Sequence, residues 1–190
     1  MQPLLVTGFG PFGEHRVNPS AEVVRALAGR AGQASAVLPV SYRRAEAELG
    51  ALLARTRPRA LLMLGLAPGD AIRLERVARN RDEAAACDVD GEARAGRPIS
   101  CGAPARYEST LPLEAFAAAL ERASLPVAWS SDAGGFLCNH VFYRACEWLE
   151  RDGLAIPRGF VHLPPLDALP LERQLEAVGA CLDVLAGIPG

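Results

Sequence analysis

ALLMLGL, residues 60–66, is an unbroken apolar run. A strand with one wet face alternates apolar and polar residues; a run apolar on both sides belongs to a strand covered on both faces. Such strands sit inside parallel sheets, with helices packed above and below. The segments on either side agree. Upstream, PLLVTG (3–8) and ASAVLPVSY (34–42) read as strands. Between them NPSAEVVRALAG (18–29) reads as a helix, with Asn18 as N-cap, Pro19 at the first helical position, Glu22 in the first turn and Gly29 near the stop. RRAEAELGALLARTRP (43–58) places Ala45, Leu49, Leu52 and Leu53 at helical spacing. Downstream, AIRLERVARN (71–80), PVAWS (126–130) and GFVHL (159–163) are strand-like, while 111–124, 138–151 and 169–187 are helical. This alternation predicts an α/β fold with a mostly parallel twisted sheet flanked by helices. No repeat or linker divides it, so residues 1–190 are expected to form a single domain. Residues 81–108, rich in Arg, Asp, Gly, Ala and Pro without clear period, are expected to be a mobile functional loop.

Half of the residues are apolar and the formal net charge is −2, the balance of a compact protein with no strongly basic face for nucleic acid. MQPLLVTGFG lacks a basic leader and has only a short apolar run, so it reads as a first strand rather than a signal peptide or membrane span. The cytoplasm is the default compartment. Every basic residue is arginine. Without lysine, neither a pyridoxal Schiff base nor a Walker A loop is available. The five cysteines, Cys87, Cys101, Cys138, Cys146 and Cys181, form no C-x-x-C pair, which argues against zinc and against a disulfide framework.

GFGPFG (8–13) matches the G-x-G-x-x-G dinucleotide fingerprint after a predicted strand. That fingerprint requires a helix starting inside the glycine loop and an acidic residue ending the second strand. Here the helix starts at Asn18, and AVLPVSYRR ends in arginines, so the nucleotide-binding oxidoreductase reading fails. A better use is an apolar cup: Phe9 and Phe12, expected to be exposed, lie in a glycine-bounded loop at a strand's C-terminal end, where open α/β sheets bind ligands.

SDAGGFLCNHVFYRACEWLE (131–150) carries the chemistry. Val141, Phe142, Ala145, Trp148 and Leu149 share one helical face, which puts Cys138 in or just before the first turn. The positive end of the helix dipole favours a thiolate there, and unpaired backbone N–H groups can hold a developing oxyanion. The preceding glycines let a carbonyl approach the main chain. Cys146 and Cys181 lie deep in helices and gain none of this. Of the histidines, His140 is two residues from Cys138 and cannot face it on a helix. His15 belongs to the glycine loop, where it is expected to be solvated. His162 ends the strand GFVHL and is the candidate base. A third group would fix its tautomer. Glu75, Asp70, Asp82, Glu83 and Asp132 are all candidates, and spacing does not choose among them.

With these blocks in view, the chain resembles the pyroglutamyl peptidase I (pyrrolidone-carboxylate peptidase) family of cysteine peptidases. The resemblance is carried by VTGFGPFG…NPS (6–20), LPVSY (38–42), GLAPG…IRLERVARN (65–80), GAP…YESTLP (102–112), SDAGGFLCNHVFY (131–143) and GFVHLPPL (159–166). It implies an α/β/α sandwich, often dimeric or tetrameric, that uses no metal or cofactor. It implies Cys138 as nucleophile, His162 as base and Glu75 as the third member, with peptides bearing N-terminal pyroglutamate as substrates. The implied pocket walls are Phe9, Phe12, Leu66, Phe136 and Leu137. Apolar walls suit a compact neutral lactam, whereas a free α-amine would be penalised in a dry pocket.

One departure stands out. Where the family continues the glutamate block into a loop resembling DARIPDNEG, this chain has EAAACDVDG (83–91), with Ala85 at the position of a highly typical arginine. Arg79, Arg81 and Arg94 are candidates to cover that loss. The departure also keeps open an alternative, a catalytically impaired relative acting as a binding module.

Overall fold

The computed structural model describes residues 2–13 and 16–188. His15 therefore lies outside the described residues. In chain order the elements are β1 (Leu4–Phe9), α1 (Pro19–Ala26), β2 (Gln33–Leu38), α2 (Tyr42–Thr56), β3 (Ala60–Leu66), β4 (Ile72–Glu75) and β5 (Val77–Arg79). They continue with β6 (Arg106–Glu108), α3 (Leu113–Arg122), β7 (Val127–Ser130), α4 (Leu137–Arg151), β8 (Arg158–Leu163) and α5 (Leu171–Ala186).

Six strands form one sheet in the order β2-β1-β3-β8-β4-β7. The apolar run of β3 is central, parallel to β1 on one side and β8 on the other. Its alternate residues explain why it is apolar throughout. Leu62 and Leu64 join a core with α1, α3 and α5, while Leu61 and Met63 join a second core with α2 and α4. Two cores, one on each face, make the α/β/α sandwich.

The helix ends follow their sequence signals. Asn18 caps α1 by accepting the Ser20 N–H at 3.1 Å, with Pro19 opening the helix. Ser41 caps α2 through the Arg44 N–H. Capping bonds of this kind contribute about 1 kcal/mol each.

AIRLERVARN, expected to be one strand, is two. β4 joins the main sheet antiparallel to β8 and parallel to β7. The chain then turns at Arg76, whose N–H reaches Ser130 O while its carbonyl accepts from Ser109 N–H. β5 leaves to pair with β6 in a separate two-stranded sheet. β4 and the edge strand β7 thus run opposite to the other four strands of the sheet.

The segment after β5 is irregular but not the free loop its composition suggested. Asn80 bonds Ser100 N–H and the Ser100 carbonyl through its side chain. Buried Asp88 accepts from the N–H groups of Tyr42, Asp90 and Glu92. Short polar side chains replace the missing ladder, which composition does not reveal.

Candidate active site

Sheet register brings the first two groups together. Glu75 on β4 stands opposite Phe160 on β8, and His162 is two residues further along the same face. Diagonal neighbours of this kind are within reach of a long side chain. The Glu75 carboxylate accepts a hydrogen bond from His162 Nδ1 at 2.8 Å, with Glu75 sealed from solvent and His162 nearly so. A carboxylate on Nδ1 leaves Nε2 as the nitrogen free for chemistry.

α4 supplies the sulfur. Cys138 is the second residue of that helix, half-buried, whereas Cys146 and Cys181 are buried and Cys87 and Cys101 exposed. Burial pushes the Cys146 and Cys181 thiols up to about 11 and 12, where they are inert near neutrality. Cys138 Sγ lies over β3 at Gly65, the residue paired with His162. A Cβ at position 65 would fall 2.8 Å from that sulfur, so only glycine leaves the space. Burial acts to lower the proton affinity of His162. The charge and hydrogen bonding of the neighbouring Cys138 sulfur, joined by Glu75, outweigh it and lift His162 to about 9.

A cavity of about 250 Å³ opens beside the sulfur. Phe9, Phe12, Leu66, Phe136, Leu137 and Cys138 all line it, with Asn18, Val40, Pro68 and Pro165 completing the walls. All five expected wall residues therefore share one pocket with the cysteine. Phe12 stacks on Phe136 with ring centroids 5.0 Å apart, and Tyr42 supports Phe136 from behind, edge-on at 5.5 Å. Phe9 departs from expectation in one respect. It is the last residue of β1, buried rather than exposed in the loop, with its N–H bonded to Ser20 Oγ. The glycine loop serves packing, not phosphate: a Cβ at Gly8 would lie 2.6 Å from the Ser20 carbonyl oxygen at the start of α1.

The remaining candidate acids fall elsewhere. Asp70 is exposed, Glu83 pairs with Arg81 at 2.9 Å, and Asp132 with Arg79 at 3.5 Å. Asp82 is buried, but against His140 rather than His162. Sequence reasoning set His140 aside as unable to face Cys138 and so missed its role as the hub of a second buried cluster. A histidine in the first turn of an otherwise apolar-faced helix was the only available signal. Ala85 is exposed, and none of Arg79, Arg81 and Arg94 lines the cavity.

A half-buried thiol at a helix N-terminus and an imidazole–carboxylate pair joined across two antiparallel strands are the equipment of a cysteine-type hydrolase. Comparison with known proteins narrows the class. A profile of the pyroglutamyl peptidase family matches residues 2–182. The pyrrolidone-carboxylate peptidase of Gloeobacter violaceus is 44% identical over 97% of this chain and 92% of its own length. That of Deinococcus radiodurans is 41% identical over 90% and 82%. Among solved structures, pyroglutamyl peptidase I of Bacillus amyloliquefaciens superposes with a TM-score of 0.94 at 32% identity, covering 99% of this chain and 98% of that one. A mutant pyrrolidone carboxyl peptidase of Pyrococcus furiosus gives 0.92 at 32% identity, covering 97% and 98%. The chain belongs to the pyroglutamyl peptidase family.

Proposed function

We propose that this chain hydrolyses the amide bond after an N-terminal pyroglutamyl residue, with Cys138 as nucleophile, His162 as general base and then acid, and Glu75 as its orienting carboxylate. The observation that carries this reading is the cavity that holds the sulfur and five apolar wall residues together. The lactam ring enters among Phe9, Phe12, Leu66, Phe136 and Leu137, which places the scissile carbonyl over Sγ. Cys138 gives its proton to His162, and the thiolate attacks the carbonyl carbon. Backbone N–H groups of the first turn of α4 hold the oxyanion, since the Phe136 N-cap position provides no side-chain bond to occupy them. His162 then protonates the leaving amine. Water, deprotonated by the same ring, cleaves the thioester and restores the thiol. Glu75 keeps Nδ1 protonated throughout and stabilises the imidazolium.

The apolar lining explains selection for a blocked N-terminus, because a charged α-amine would lose its hydration without gaining a partner. All five cysteines are free, which suits a reducing cytoplasm. Among the described residues no helix is long and apolar enough to cross a membrane. The family resemblance extends the reading to a dimer or tetramer.

A fluorogenic pyroglutamyl amide tests the reading. Turnover should require reducing agent, stop with a thiol alkylator and disappear in Cys138→Ala. Binding of the amide without turnover would instead favour a binding module.

A further inference from the structure

Two residues beyond Cys138, His140 is sealed from solvent with both ring nitrogens against carboxylates. Nδ1 lies 2.9 and 3.1 Å from the two oxygens of Asp82, which is itself inaccessible to solvent. Nε2 lies 2.8 Å from Glu46 Oε1 on α2. A neutral imidazole has one N–H and one bare lone pair, so it can satisfy only one ionised carboxylate. With both carboxylates ionised, this geometry requires an imidazolium that donates from each nitrogen.

The placement matters because the turn carrying Cys138 has no side-chain cap: Phe136 occupies the N-cap position. What holds that turn is the pair of residues after the cysteine. Asn139 donates to the carbonyls of Arg79 and Arg81 and accepts the Arg79 N–H, which fastens the turn to β5. His140 fastens it to α2 and to the segment after β5. The same segment closes on the strand side, where Glu83 and Ala84 N–H both bond the Gly135 carbonyl at 2.8 Å. Behind His140, the Tyr42 ring stands edge-on at 4.9 Å and also supports the pocket wall at Phe136.

We propose that His140 is a positioning residue for Cys138: an imidazolium bridge from Asp82 to Glu46 that holds the first turn of α4, and with it the sulfur and the Phe136 wall, in register with His162. The proposal rests on the peptidase reading for its catalytic consequence, but not for the charge state of the ring. The charged groups around the bridge favour the cation. Glu46 and Asp82 face it directly. Arg144 on α4 pairs with Glu46 at 2.9 Å and also with Glu147, while Arg94 pairs with Glu92 and stacks on Tyr42. Burial works against the imidazolium, yet the bonds to Asp82 and Glu46 outweigh it and raise the proton affinity of His140 above the ordinary value. Because the folded value is raised, the bridge is complete below the ordinary histidine range and is lost as pH climbs through the folded value.

The experiment combines charge and rate. The chain, labelled with ¹⁵N-histidine, is titrated by NMR, with His140→Gln assigning the signal among the three histidines. Both His140 ring nitrogens should stay protonated at pH 7.5; a ring that is neutral there overturns the proposal. In parallel, kcat and KM for a pyroglutamyl amide and the alkylation rate of Cys138 by iodoacetamide are measured, the latter by peptide-resolved mass spectrometry because Cys87 and Cys101 also react. Loss of sub-ångström placement costs on the order of tenfold or more in rate. His140→Gln should therefore lower kcat at least about tenfold with KM within about twofold, and slow Cys138 alkylation. If His140→Gln does not fold, Glu46→Gln serves. It should move the His140 titration to lower pH and lower kcat by about threefold, an effect of misplacement smaller than full loss of the bridge. Unchanged kcat in a folded His140→Gln, or an unmoved titration in Glu46→Gln, overturns the proposal. A wild-type chain that cleaves no pyroglutamyl amide refutes the peptidase reading, while NMR and alkylation still decide the bridge.

Discussion

Gly65→Ala is a one-methyl test of the active-site geometry. β3 and β8 pair Gly65 with His162, and the added Cβ would sit 2.8 Å from Cys138 Sγ and 2.8 and 2.9 Å from two atoms of the Phe160 ring. Ordinary contact begins at 3.4 Å, so something must retreat by about 0.6 Å or more. Phe160 has no accessible surface and packs on Phe142 and His162, with the α2–α4 core behind it. The sulfur, half-buried at the edge of a cavity, is the freer partner and moves outward. Misplacement approaching 1 Å costs about 10²-fold in rate, and the expected loss in kcat is about 30- to 100-fold. KM should change little, because the methyl points at the Cys138 sulfur, the proposed nucleophile, and not at the apolar walls. Overpacking should also lower the unfolding free energy by about 1–3 kcal/mol. Fluorogenic-amide kinetics and urea denaturation of the same preparation separate the two effects. A folded Gly65→Ala with kcat within threefold of wild type would refute the placement of the sulfur over β3.

Four further outcomes follow from the same structure. His162 is raised to about 9, so its protonated form, present below that value, is lost above it. The stability it brings is complete below the ordinary histidine value and gone above about 9, and kcat/KM should fall on the alkaline side near pH 9. Glu75→Gln removes one of the groups that raise His162. The alkaline limb should move to lower pH, and kcat should fall by about 10⁴-fold, the loss seen when a triad carboxylate becomes an amide. Phe136→Ala deletes the ring that stacks on Phe12 and Tyr42; KM should rise about tenfold, the effect of removing apolar pocket contact, with kcat less affected. Gly8→Ala drives a Cβ to 2.6 Å from the Ser20 carbonyl oxygen and should cost about 1–3 kcal/mol of stability in a denaturant titration, with KM for nucleotide-free amide turnover unchanged.

Much of the fold was legible because its signals are local. The run ALLMLGL named the central strand, Asn18 and Pro19 named the start of α1, and apolar spacing named α4 with Cys138 at its mouth. Rejecting the dinucleotide motif needed only the late helix start. The break in AIRLERVARN was not legible, since β4 and β5 are distinguished by which strand each pairs with, and pairing is not a property of the segment itself. The mobile-loop expectation for 81–108 likewise overlooked Asn80 and Asp88, whose side chains organise backbone many residues away.

The amino-acid sequence alone determined which segments become strands and helices, that both sheet faces are covered, and which cysteine stands at a helix mouth, because these follow from periodicity and capping over a few residues. Spacing left open which carboxylate meets which histidine: the family resemblance pointed to Glu75 for His162, and tertiary structure alone decided Asp82 and Glu46 for His140. Glu75 and His162 are 87 residues apart and meet through antiparallel register, while Asp82 and Glu46 reach His140 across 58 and 94 residues. Side-chain reach of a few ångströms selects partners only after sheet order and helix packing have set the backbone, and no spacing along the chain encodes that choice.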